Sequence, residues 1–82
     1  MRMKVKVLAF AGLKRELGAE RQVELPDDAT VEALLRQLAE EHPSLRGQLE
    51  VTAIAVGDRI VNREHKLREG EEVALLPPVS GG

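Results

Sequence analysis

The chain has 82 residues, no cysteine, tryptophan or tyrosine, and one phenylalanine, with 12 Lys plus Arg against 14 Asp plus Glu for a net charge of −2. That length holds one small domain, which buries only about 60% of the surface its unfolded chain exposes. The missing cysteines exclude disulfides, cysteine-ligated zinc, iron–sulfur clusters and thiol nucleophiles, while the near-neutral charge and lone aromatic argue against nucleic acid as a direct partner.

Met3, Val5, Val7 and Ala9 alternate with Lys4, Lys6, Leu8 and Phe10, the period of two of a strand with one buried face. The opening is therefore read as a strand and not as a signal peptide. No apolar run approaches the ~20 residues that span a bilayer, so no membrane segment is expected and the chain is placed in the cytoplasm. Residues 10–17 switch to helical spacing, with Leu13 and Leu17 four apart and Gly18 as a stop. Gln22–Leu25 reads as a second strand with Val23 and Leu25 on one side, and Pro26-Asp27-Asp28 as a turn. Thr30 is a good N-cap for the one strong helix, in which Val31, Leu34, Leu35, Leu38 and Ala39 form an apolar stripe opposite Glu32, Arg36, Gln37, Glu40 and Glu41. His42-Pro43 ends it, because the residue before a proline is pushed out of the α region. Ser44–Leu49 is a loop or a short helical turn. Thr52–Val56, a Gly57-Asp58 turn and Arg59–Asn62 make a hairpin. Leu67 is a lone plug before the turn at residues 68–71, and Glu72–Leu76 is the last strand, stopped by Pro77-Pro78.

One amphipathic helix can cover one face of a mixed sheet of about five strands, giving a two-layer α+β domain over residues 1–78. Its expected core is Val5, Val7, Val23, Leu34, Leu35, Leu38, Val56, Leu67, Val73 and Leu75. The order of elements is that of a β-grasp, or ubiquitin-like, fold, which by itself settles no activity. Charge is unevenly spread along the chain. Residues 1–21 carry six basic and two acidic side chains, residues 22–58 two and eight, and residues 59–82 four and four. Such a bias is either ordinary solubilising charge or an acidic face beside a basic edge.

The usual catalytic constellations are missing. His42 and His65 have no second ligand at metal spacing and read as solvated histidines, so no metal site is expected. Asp27-Asp28 is explained by turn and cap duty. Ser44 and Ser80 have no partner base, and neither common phosphate-loop pattern occurs. The chain is thus expected to have no side-chain active site of its own. What remains is Leu76-Pro77-Pro78-Val79-Ser80-Gly81-Gly82. Two prolines favour an extended exit from the last strand, and four further residues reach about 13 Å. Glycine has no Cβ and so can pass through a narrow channel to a nucleotide or catalytic group. Residues 79–82 are therefore read as a flexible delivery tail, against the plainer alternative of a frayed terminus. By alternation, Leu8, Phe10, Ala74 and Leu76 face away from the helix and offer a partner an apolar surface.

The sequence resembles the ubiquitin-like sulfur carriers of the MoaD/ThiS family, and within it the molybdopterin synthase branch. The resemblance rests on residues 4–11 (KVKVLAFA), 15–18 (RELG), 29–35 (ATVEALL), 67–74 (LREGEEVA) and, most specifically, 77–82 (PPVSGG). One departure is Val56-Gly57, where the family commonly has valine followed by asparagine. The resemblance implies that the Gly82 carboxylate is adenylated by an E1-like adenylyltransferase of the MoeB type using ATP and magnesium. A persulfide donor then converts it to a thiocarboxylate. Pro77, Pro78, Val79, Ser80 and Gly81 would thread into the large, MoaE-type catalytic subunit, where sulfur passes to cyclic pyranopterin monophosphate during molybdenum cofactor biosynthesis. Phe10, Ile60 and Leu76, with Leu8 beside them, would meet that subunit. No tightly bound cofactor is implied. A carrier serving thiamine synthesis or tRNA thiolation, and a ubiquitin-like protein modifier or binding module, remain the alternatives.

Overall fold

The computed structural model describes residues 1–78. β1 (Arg2–Ala9) follows its alternation, with Met3, Val5, Val7 and Ala9 buried and Arg2, Lys4 and Lys6 exposed. α1 (Ala11–Leu17) buries Leu13 and Leu17 and ends at Gly18, whose φ of 82° suits a residue without a Cβ. β2 (Glu20–Pro26) starts two residues earlier than its apolar pattern indicates, because Glu20 and Arg21 pair with Leu8 and Val7 of β1. The partner strand, not local hydrophobicity, sets that boundary.

α2 (Val31–Glu41) is the predicted amphipathic helix, and Val31, Leu34, Leu35 and Leu38 are its buried stripe. Thr30 Oγ1 accepts the Ala33 amide at 3.2 Å. The carbonyls of His65 and Arg63 accept the Val31 and Glu32 amides at 2.9 Å each, so the first three amides of the helix all have partners. The stretch after His42-Pro43 is helical rather than a loop. A 3-10 turn (Pro43–Leu45) and α3 (Arg46–Glu50) bury Leu45 and Leu49. β3 (Ala53–Val56), β4 (Arg59–Val61) and β5 (Glu72–Leu76) complete the chain order.

The five strands lie in the order β2-β1-β5-β3-β4, with β1 and β5 parallel at the centre and the other pairs antiparallel. Helix on one face of a mixed sheet is the α+β, ubiquitin-like architecture that the sequence predicts. Gly57 has φ 64° in the β3–β4 turn, a conformation open to glycine and asparagine alike. Asp28 also sits at positive φ, 68°, and the Ala29 amide donates to the Pro26 carbonyl at 3.1 Å, which makes Pro26-Asp27-Asp28 the expected turn.

The core corrects one assignment. Val56 is only half-buried, because it sits at the hairpin end opposite Arg59; Ile54, opposite Leu75 and Val61, takes the buried place on β3. Met3, Leu13, Leu17, Leu25, Val31, Leu45 and Leu49 join the residues expected inside. Leu67 is buried as predicted, with its amide bonded to the Ala29 carbonyl at 2.9 Å. The uneven charge along the chain folds against itself. Arg2 pairs with Glu24 at 3.2 Å, and Arg21 lies 3.9 Å from Glu41.

The junction before β5 is tied to β1 by a side chain. Glu69 Oε1 accepts the Lys4 amide at 2.9 Å, and the Gly70 amide donates to the Lys4 carbonyl at 2.7 Å. The parallel pairing thus extends beyond the start of β5 and helps hold that strand in register.

Candidate functional site

Directly paired residues share a face of the sheet, so the register defines what the side opposite α2 presents. One row runs Leu8, Ala74, Ala55, Ile60 across β1, β5, β3 and β4, and Leu76 pairs with Ala53 in the next. Phe10 follows β1 with its backbone still extended (φ −131°, ψ 162°), which carries the alternation one residue further. Phe10 is 46% and Ile60 67% exposed, while Leu8, Ala74 and Leu76 are half-buried. The other half of the same face is charged. Arg2, Lys4 and Lys6 point outward there, with Lys6 Nζ 3.7 Å from Glu72 and Lys4 paired across from Glu24. Apart from Glu20, which pairs with Leu8 at the β2 edge, an apolar half and a charged half divide the open face along the strand direction.

β5 runs toward the apolar half, and its final residue, Leu76, belongs to it. Pro77 is half-buried and Pro78 exposed immediately beyond. Val79, Ser80, Gly81 and Gly82 lie outside the described residues. The structure therefore brings Leu8, Phe10, Ile60 and Leu76 onto one face and sets Pro77-Pro78 at its border. Sequence reading overlooked Ala53 and Ala55. Their small side chains floor the patch between the larger ones, a role visible only once β3 is placed between β5 and β4.

The remaining candidates do not converge on this face. Both histidines are half-buried, which corrects the expectation that they are solvated. Arg21 Nη1 donates to His42 Nε2 at 2.9 Å, holding that ring at the end of α2. His65 Nε2 is buried without a partner among the described residues, because the backbone bonds between residues 63–67 and the start of α2 draw its loop inward. Ser44 donates to Glu16 Oε2 at 2.8 Å, a surface contact between α1 and the turn after α2. Among the described residues no group of three or more His, Cys, Asp or Glu could hold a metal ion, and no helix is long and apolar enough to cross a membrane. What the arrangement can do is bind: it presents an apolar surface next to an exiting chain.

Comparison with known proteins agrees in sequence and in shape. Residues 7–82 match the ThiS family. The chain is 39% identical to the molybdopterin synthase sulfur carrier subunit of Chlamydomonas reinhardtii, over 98% of this chain and 100% of that protein. A solved structure described as a putative molybdopterin converting factor, subunit 1, from Pyrococcus furiosus superposes with a TM-score of 0.83 at 30% identity, covering 94% of this chain and 99% of that one. A second, from a complex of subunits 1 and 2 of the molybdopterin-converting factor of Helicobacter pylori, superposes with a TM-score of 0.65 at 32% identity, covering 98% and 100%.

Proposed function

The chain belongs to the ThiS family, and from that membership we propose that it is the sulfur carrier subunit of a molybdopterin synthase, loaded with sulfur at the carboxylate of Gly82. The structural observation that supports this reading is the position of the apolar half-face. It adjoins the end of β5 from which Pro77-Pro78 leads toward Gly81-Gly82. A partner that covers Leu8, Phe10, Ile60 and Leu76 is by the same contact held within reach of the tail. The charged half of the face, where Lys6 and Glu72 already pair, forms the rim.

The chemistry follows from what a carboxylate cannot do. Its oxygen leaves badly, so an E1-like activating enzyme spends ATP, with magnesium, to make the Gly82 acyl-adenylate and pyrophosphate. The outer sulfur of a persulfide donor attacks that acyl carbon and AMP departs; a thiol then reduces the acyl disulfide and releases the thiocarboxylate. In the large catalytic subunit the thiocarboxylate gives its sulfur to cyclic pyranopterin monophosphate, and hydrolysis returns Gly82 to a carboxylate. A dithiolene needs two sulfurs, so two loaded carriers serve each product. This chain contributes no acid or base to those steps. It contributes docking, reach and a tip without side chains that a narrow channel admits. The cycle is placed in the cytoplasm, where the activating enzyme has its ATP.

Reconstitution tests the reading. Thiocarboxylated carrier mixed with a molybdopterin synthase large subunit and cyclic pyranopterin monophosphate is expected to yield molybdopterin while the carrier reverts to its carboxylate mass. Absence of product with a demonstrably loaded carrier overturns it.

A further inference from the structure

We infer that Ala11 is a positioning residue for partner docking: its left-handed backbone holds Phe10 on the apolar half-face, a conclusion that rests on the docking reading above. Ala11 has φ 53°, a conformation that residues with a Cβ rarely adopt. It lies between Phe10, the last outward residue after β1, and the body of α1, whose Leu13 and Leu17 are buried in the core. The chain must turn there from the open face to the packed one, and the Phe10 carbonyl takes up the Leu13 amide at 3.1 Å as it does so.

Folding alone does not account for the residue chosen. Glycine is suited to positive φ and occupies it at Gly18, Gly57 and Gly70, yet here the glycine stands one place later, at Gly12, outside that set. The strained position instead carries a Cβ, which narrows the backbone to a small left-handed well and fixes the direction from which Phe10 leaves the chain. Packing requires the turn but not a Cβ within it, since glycine would make the same turn without strain, and strain kept there points to preorganisation, which lowers the ordering cost of binding.

The test compares Ala11→Gly, Ala11→Asn and Phe10→Ala in the full thiocarboxylated chain, measuring KM and kcat for molybdopterin formation with the large subunit, with thermal melting of each. Glycine relieves the strain but restores backbone freedom, so Ala11→Gly is expected to melt no lower than the parent while its KM for the carrier rises roughly two- to fivefold at unchanged kcat. Asparagine tolerates the left-handed region and keeps a Cβ, so Ala11→Asn is expected to bring KM back toward the parent value. A purely structural role for Ala11 would leave KM equal in both. Raised KM in Phe10→Ala beside a parental KM in Ala11→Gly overturns this inference alone. An unchanged KM in Phe10→Ala overturns the docking reading and this inference with it.

Discussion

Ile60 is the most direct place to perturb the apolar half-face without disturbing the fold. It is 67% exposed, pairs with Ala55, and lies on the short edge strand β4. Fully burying an isoleucine side chain is worth about 1.5–3 kcal/mol, so the two-thirds still in water leaves about 1–2 kcal/mol for a partner to gain. Ile60→Lys removes that gain and asks the partner to desolvate an ammonium as well. Binding to the large subunit should therefore weaken at least about 5- to 30-fold. Edge strands commonly carry lysine, and the stability change should stay below about 1 kcal/mol. Titration calorimetry against the large subunit gives the affinity, and thermal melting of the free chain gives the control. An affinity within twofold of the parent, in a variant that melts normally, would refute the assignment of this face as the docking surface.

Other expectations are narrower. Thr30→Ala loses the bond to the Ala33 amide and should cost about 1 kcal/mol, read as a melting temperature lower by roughly 4–8 °C. Gly57→Asn should melt like the parent, whereas Gly57→Val, forced to φ 64°, should lose about 1–2 kcal/mol in denaturant titration. Deleting Gly82, or extending the chain beyond it, should leave the melting temperature unchanged and abolish thiocarboxylate formation as read by mass spectrometry.

The parts of the fold legible in the sequence are those in which one face of one element decides burial. The stripe from Val31 to Leu38 and the alternation from Met3 to Ala9 were readable because each element packs against a single neighbour layer, and that parity also put Leu8, Ala74 and Leu76 on the open face. Features set by another segment were not readable. The start of β2 depends on the length of β1. The place of Ile54 rather than Val56 in the core depends on where the hairpin ends, and the burial of His65 depends on a loop docking on the start of α2. Ala53 and Ala55 illustrate the limit at the site itself, since a small apolar residue has no signature of a binding floor until its neighbours are placed. Ile60 is named by the family resemblance, and the register sets it in one row with Leu8 and Ala74.

The central claim is that sulfur is loaded onto the carboxylate of Gly82. Intact-mass measurement after incubation with the activating enzyme, ATP and a persulfide donor tests it most directly. The account predicts a mass gain equal to one sulfur less one oxygen, confined by fragmentation to the last residue and dependent on ATP. An unchanged mass under conditions that load a known carrier, or a sulfur found anywhere but on Gly82, would contradict it.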